Sequence, residues 1–131
     1  ANLNLDMVAQ MGKRKRLYVT GEKTHNAFNG LVKQLNQEVS ERLGIRLVKE
    51  HRNKRVGRAI ANGINYHRAS DHAVFADNDI AYLFLGVAGH RFFHTPNETF
   101  EKIELNAFDD VVEVAWALLQ QMDQRLHMSY Q

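Results

Sequence analysis

The sequence predicts an α/β layered domain. Short stretches rich in β-formers alternate with amphipathic helical repeats, and a long apolar-striped segment lies near the C-terminal end. Leu3 to Val8 is short, apolar and bounded by Gly12, so it reads as a strand. Leu17-Tyr18-Val19-Thr20 follows, stopped by Gly21, and the two are expected to pair as a hairpin. From Thr24 to Leu43 the period changes. Phe28, Leu31, Val32, Leu35, Val39 and Leu43 recur three or four residues apart, the spacing of one helical face, and Gly44 supplies the stop. Ile45 to Val48 reads as a short strand. A polar, glycine-containing stretch runs through Asn65, and a short helix is expected around His72 to Asp77. Ile80 to Leu85 is apolar throughout, as suits a strand buried on both faces. Asn106 is expected to cap the last helix, with Asp109 and Asp110 near the positive end of its dipole. Phe108, Val111, Val112, Ala115, Leu118, Leu119 and Met122 form its expected buried stripe.

With 131 residues, 44% apolar and 24% charged, the chain has the size and composition of one ordinary globular domain. No apolar run approaches the roughly 20 residues that span a bilayer, so no membrane segment is expected. The first six residues, Ala1 to Asp6, have neither the basic region nor the apolar core of a signal peptide. They read as a strand met without any preceding element to cover it, the first hint that an N-terminal portion of the domain is missing. The absence of cysteine excludes a disulfide framework and a thiolate metal site, and leaves the redox compartment open. The net charge of +2 hides an asymmetry: residues 1–68 hold 14 Lys/Arg against 5 Asp/Glu, and residues 69–131 hold 3 against 10. Basic clusters at Lys13 to Arg16 and Lys49 to Arg58 suit nucleic acid or an anionic surface, or else a solvated turn and two halves that attract each other. No stacking platform of aromatic residues accompanies them, which favours the second reading.

Three stretches carry residues suited to chemistry: Asn4-Leu5-Asp6-Met7, Ser70-Asp71-His72 with Phe75, and His94-Thr95-Pro96-Asn97-Glu98-Thr99. Asp6 stands at the C-terminal end of a strand, where ligands gather on α/β sheets, and its carboxylate suits a divalent metal or the amides of the following loop. His94 suits a metal ligand or a partly buried histidine bonded to backbone. Asp71 and His72 could form a carboxylate–imidazole pair, but helix neighbours point to different faces, and Ser70 with Asp71 more readily caps the helix that follows.

In this order and spacing the three stretches resemble the co-catalytic zinc peptidases that include bacterial leucyl aminopeptidase, glutamate carboxypeptidase and glutaminyl cyclase. Leu5-Asp6-Met7 matches a strand ending in Leu-Asp-Met, and Ser70 to Phe75 matches Ser-Asp-His with a Phe three residues on. Phe93-His94-Thr95-Pro96-Asn97-Glu98-Thr99 matches Tyr-His-Thr-x-x-Asp-Thr, followed by a long C-terminal helix. The sequence departs from the pattern at Phe93, at Glu98, at Asn78-Asp79-Ile80-Ala81 in place of a Gly-Ile-Pro turn, and at Ala69 between Arg68 and Ser70. These departures leave substrate preference open.

The resemblance covers nearly the whole chain and implies the C-terminal portion of a three-layer α/β/α catalytic domain with a mixed central sheet. About four strands and the long last helix would be present in residues 1–131. It implies Asp6 as a ligand of one zinc and His94 as a ligand of a second, with two zinc ions in the complete site acting on a peptide substrate. Tyr66 or His67 would stabilise the oxyanion, and Ser70, Asp71 and His72 would stand behind the ligands. The family's remaining ligands and its general base precede Leu-Asp-Met, and only five residues stand before Asp6 here. The chain is therefore expected to be inactive alone and to self-associate, swap elements or pair with the missing N-terminal half. The resemblance leans toward export, periplasmic or extracellular, while the residues themselves leave the compartment open. Two other readings compete: a non-catalytic peptidase-fold binding domain like the transferrin-receptor ectodomain, and a basic nucleic-acid-binding domain, which would lose binding steeply with salt. Asn97-Glu98-Thr99 fits a glycosylation acceptor, a triplet common by chance.

Overall fold

One mixed sheet organises the chain in the computed structural model, which describes residues 1–51 and 64–129. The strands are β1 (Asn2–Leu5), β2 (Arg16–Thr20), β3 (Arg46–Lys49) and β4 (Tyr82–Gly86). The helices are α1 (Leu31–Leu43), α2 (Ala73–Asp77) and α3 (Leu105–Ser129). Strand order is β1-β4-β2-β3. β1 runs parallel to β4, β2 runs parallel to β3, and β2 meets β4 antiparallel.

The expected hairpin of β1 with β2 does not form, because β4 lies between them. The connection from Asp6 to Lys15 is long enough to step over the end of β4, and it turns at Gly12, whose carbonyl accepts from the Lys15 amide at 3.1 Å. A local pattern of two apolar stretches cannot reveal that a third strand, sixty residues on, will insert between them.

Alternation divides the sheet into two unlike faces. Leu17, Val19, Leu47, Leu83 and Leu85 are buried on one face against Leu31, Val32, Leu35 and Val39 of α1 and Val111, Val114, Leu118 and Met122 of α3. The other face carries Asn4, Tyr18, Thr20, Tyr82 and Phe84. α1 is shorter than the span from Thr24 to Leu43. Gly30, with φ 74°, adopts a left-handed conformation that no helix interior accommodates, and the residues before it form two 3-10 turns, Glu22–Thr24 and Asn26–Phe28. The buried Glu22 carboxylate accepts from the Val32 amide at 3.0 Å and pairs with Lys49, satisfying the start of α1 from a distance in sequence.

α3 begins at Leu105, so Asn106 is inside the helix rather than its cap. Its buried face is Val111, Val114, Leu118 and Met122, while Phe108, Val112 and Leu119 of the expected stripe are exposed. The buried row is narrower than the apolar one because sheet and α1 reach only one side of the helix. Ion pairs join the basic and acidic halves, Lys15 with Asp110 at 3.5 Å and Arg42 with Glu113, in keeping with attraction between them. Most of the second basic cluster, residues 52–58, lies outside the described residues. No helix among the described residues is long and apolar enough to cross a membrane.

Candidate functional site

The parallel pair β1 and β4 ends on one side of the sheet, at Asp6 and Gly86. Gly86 is required there, since a Cβ would meet the Asp6 carbonyl oxygen at 2.7 Å and His51 Nε2 at 3.0 Å. Met7 takes φ 54°, an uncommon conformation for a side-chain-bearing residue, and the Val87 amide returns to its carbonyl at 3.2 Å.

A chain of hydrogen bonds converges on the Asp6 carboxylate from the polar face. Ser70 Oγ donates to Asp6 Oδ2 at 2.8 Å, and Asn4 Nδ2 donates to Ser70 Oγ at 3.0 Å. The second hydrogen of the Asn4 amide points at His72 Nδ1, 3.1 Å away, and His72 Nε2 lies 2.8 Å from the Tyr66 carbonyl. These partners fix the tautomer: Nδ1 accepts and Nε2–H donates. Burial pushes the His72 imidazole below its ordinary value, which keeps it in that neutral form. Ser70 thus holds the Asp6 carboxylate through one of its two oxygens.

Ser70 and Asp71 therefore do not cap α2. No side chain caps that helix, and the Ser70 hydroxyl reaches across to β1 instead. Asp71 is exposed, and His72 is fully buried. Tyr66 contributes its carbonyl to His72 and stacks its ring on His51 at 4.7 Å, where burial raises its phenol above the ordinary value. His67 turns to Tyr82 Oη, 2.6 Å from Nδ1, and to Glu50, 3.2 Å from Nε2. Among the described residues, no hydrogen bond or ring contact joins either ring to Asp6.

His51 is a member of this cluster that the sequence did not single out. It lies between Tyr66 and Phe84, whose ring is stacked at 4.5 Å, and its Nδ1 is 2.7 Å from Thr20 Oγ1. Burial first, then neighbouring His72 and His67, lowers its pKa to about 3, so the ring is neutral. Asn4 was also legible in principle, since period-two alternation places it on the same strand face as Asp6.

His94 sits apart, exposed in the loop after β4 with φ 54° and its ring stacked 3.7 Å from Phe93. Its amide donates to Glu98 Oε2 at 3.0 Å, and Glu98 Oε1 meets His90 Nε2 at 2.9 Å. The longer arm of glutamate thus spans two partners within the loop. Among the described residues no group of three or more His, Cys, Asp or Glu is placed to hold a metal ion. A carboxylate and an imidazole are the right donor chemistry for zinc, but a catalytic zinc takes three protein ligands and a water. Asp6 and His94 do not complete such a site.

A family model described as peptidase family M28 matches residues 1–119. No curated protein and no solved structure matches the chain.

Proposed function

Because the chain belongs to peptidase family M28, a family of peptide hydrolases, we propose that it carries part of the di-zinc site of an aminopeptidase-type metallopeptidase. The observation that supports this most directly is the Asp6 carboxylate at the end of β1, held through one oxygen by Ser70 and backed by Asn4 and His72. Oriented carboxylates of this kind are how proteins prepare a metal ligand. In this reading Asp6 and His94 each donate to one of two zinc ions, and the remaining ligands and the general base come from outside these residues. Tyr66 or His67 serves the oxyanion in the same reading, although both rings are occupied by other partners in this structure. The three-layer α/β/α arrangement, the peptide substrate, export and pairing with a complementary half of the domain belong to the same proposal. So does the inactivity of these residues alone.

Zinc titration calorimetry on the chain, with Asp6→Ala and His94→Ala beside it and an aminoacyl chromogenic substrate as activity probe, tests both parts. Weak zinc binding, further weakened by each change and without hydrolysis, is the expected result. Binding untouched by either change would remove the two ligand assignments. Tight stoichiometric binding with turnover would show a complete site and overturn the claim of a partial one.

A further inference from the structure

The loop that carries His94 is tied at both ends to the segment that follows Asp6. The Val87 amide donates to the Met7 carbonyl at 3.2 Å, and the Glu104 amide donates to the Ala9 carbonyl at 3.1 Å. Inside the loop, two side chains form a clasp. Glu98 Oε2 accepts from the His94 amide at 3.0 Å, and Glu98 Oε1 meets His90 Nε2 at 2.9 Å. A carboxylate accepts and does not donate, so His90 Nε2 carries the ring hydrogen. Backbone bonds close the same stretch. The Phe93 amide donates to the His90 carbonyl, the Thr95 amide to the Phe92 carbonyl and the Glu98 amide to the Thr95 carbonyl, each at 3.0 Å.

The clasp serves the loop and not the core. Among the described residues, His90 and Glu98 make their bonds and ring contacts within residues 90–98, and neither belongs to the apolar cluster. What they hold is a conformation that a side-chain-bearing residue resists. His94 takes φ 54°, in the left-handed region, and the bond from its amide to a charged acceptor offsets that strain. The imidazole is held in another way. Phe93 stacks on its face with ring centroids 3.7 Å apart, and among the described residues no hydrogen bond engages either ring nitrogen. The loop thus fixes the backbone and one ring face while leaving both nitrogens to a metal or ligand.

We propose that Glu98 and His90 are positioning residues for His94. Glu98 holds the His94 backbone in its left-handed turn and His90 holds Glu98, so the imidazole is presented before any metal arrives. This rests on the reading of His94 as a zinc ligand. The peptidase pattern has aspartate where Glu98 stands. An arm shorter by one carbon–carbon bond would not keep both contacts, so glutamate at 98 and histidine at 90 form a matched pair.

Nuclear magnetic resonance on the full chain separates the clasp from the ligand role. In the metal-free chain the His94 amide is expected to exchange slowly with deuterium, and Glu98→Ala to speed that exchange about tenfold or more. Glu98→Asp should act in the same direction. His90→Phe, which keeps an aromatic ring beside Phe92 and Phe93, should give a smaller increase. The urea midpoint should move little in each, since both residues stand outside the core. Zinc titration followed on the His94 imidazole resonances adds a readout that a purely structural clasp would not move. Binding is expected to weaken about tenfold in Glu98→Ala and to be largely retained in Glu98→Gln, which keeps the arm's length and an oxygen for the amide. Equal amide exchange in Glu98→Ala and the parent chain overturns the clasp. Equal zinc affinity in the two overturns its positioning role. Imidazole resonances indifferent to zinc in every variant, with amide exchange still set by Glu98, overturn the ligand reading and the positioning role with it.

Discussion

The two faces of the sheet are held by different physics. On the helix face, leucines and valines from β2, β3, β4, α1 and α3 close into one apolar cluster, and many side chains share the stabilisation. On the opposite face, Asn4, Ser70, His72, Tyr66, His51 and Thr20 are joined by hydrogen bonds and ring stacks to specific partners. The first arrangement tolerates exchange of one apolar residue for another of similar volume. The second does not, because each polar group left without its partner keeps its desolvation cost. A face built in the second way suits a site that must aim a carboxylate.

The sharpest way to break the contrast is Leu85→Ala, at a fully buried position of the helix face. It is expected to cost about 3 kcal/mol in urea unfolding, with the cavity left unfilled. The polar face should show itself next, through acid. His51 titrates near 3 in the folded chain against an ordinary 6.5, so the unfolded chain binds the extra proton first as pH falls. Its contribution is fully present above about pH 6.5 and declines toward pH 3, by about 1.4 kcal/mol per pH unit in the steep region. His72 is shifted in the same direction. Stability measured from pH 7 to 5 should therefore fall, and His51→Phe should flatten that dependence. Asn4→Ala removes the donor of both Ser70 and His72 Nδ1 and is expected to cost about 1.5 kcal/mol by denaturant titration. Lys15→Ala, which breaks a partly solvated pair with Asp110, should change stability by less than about 1 kcal/mol and less again in high salt.

The same contrast explains what the sequence disclosed. Apolar spacing marked α1, α3 and all four strands, because burial on the helix face is written as periodicity. It misplaced Phe108, Val112 and Leu119, since periodicity reports an apolar side chain and not whether a neighbour covers it. Strand order was not legible, as pairing between β1 and β4 depends on residues far apart in the chain. On the polar face, Asp6 and Ser70 to His72 were singled out as stretches, but their connection was not. Ser70 read as a helix cap because its actual acceptor, Asp6, stands 64 residues away. His51 gave no local signal at all. Its environment is assembled from Thr20, Tyr66 and Phe84, three separate parts of the chain.

The parallel pairing of Asn2 with Tyr82 also sets a timetable. Among the described strands, β1 has no neighbour until β4 has been made, eighty residues later. At ribosomal speeds of about 5–20 residues per second, the strand bearing Asp6 waits on the order of ten seconds before it can join the sheet. Closing so long a loop is also slow compared with pairing of β2 and β3, which needs only the helix between them. The carboxylate of the candidate site thus leaves the ribosome well before the strand that fixes its place.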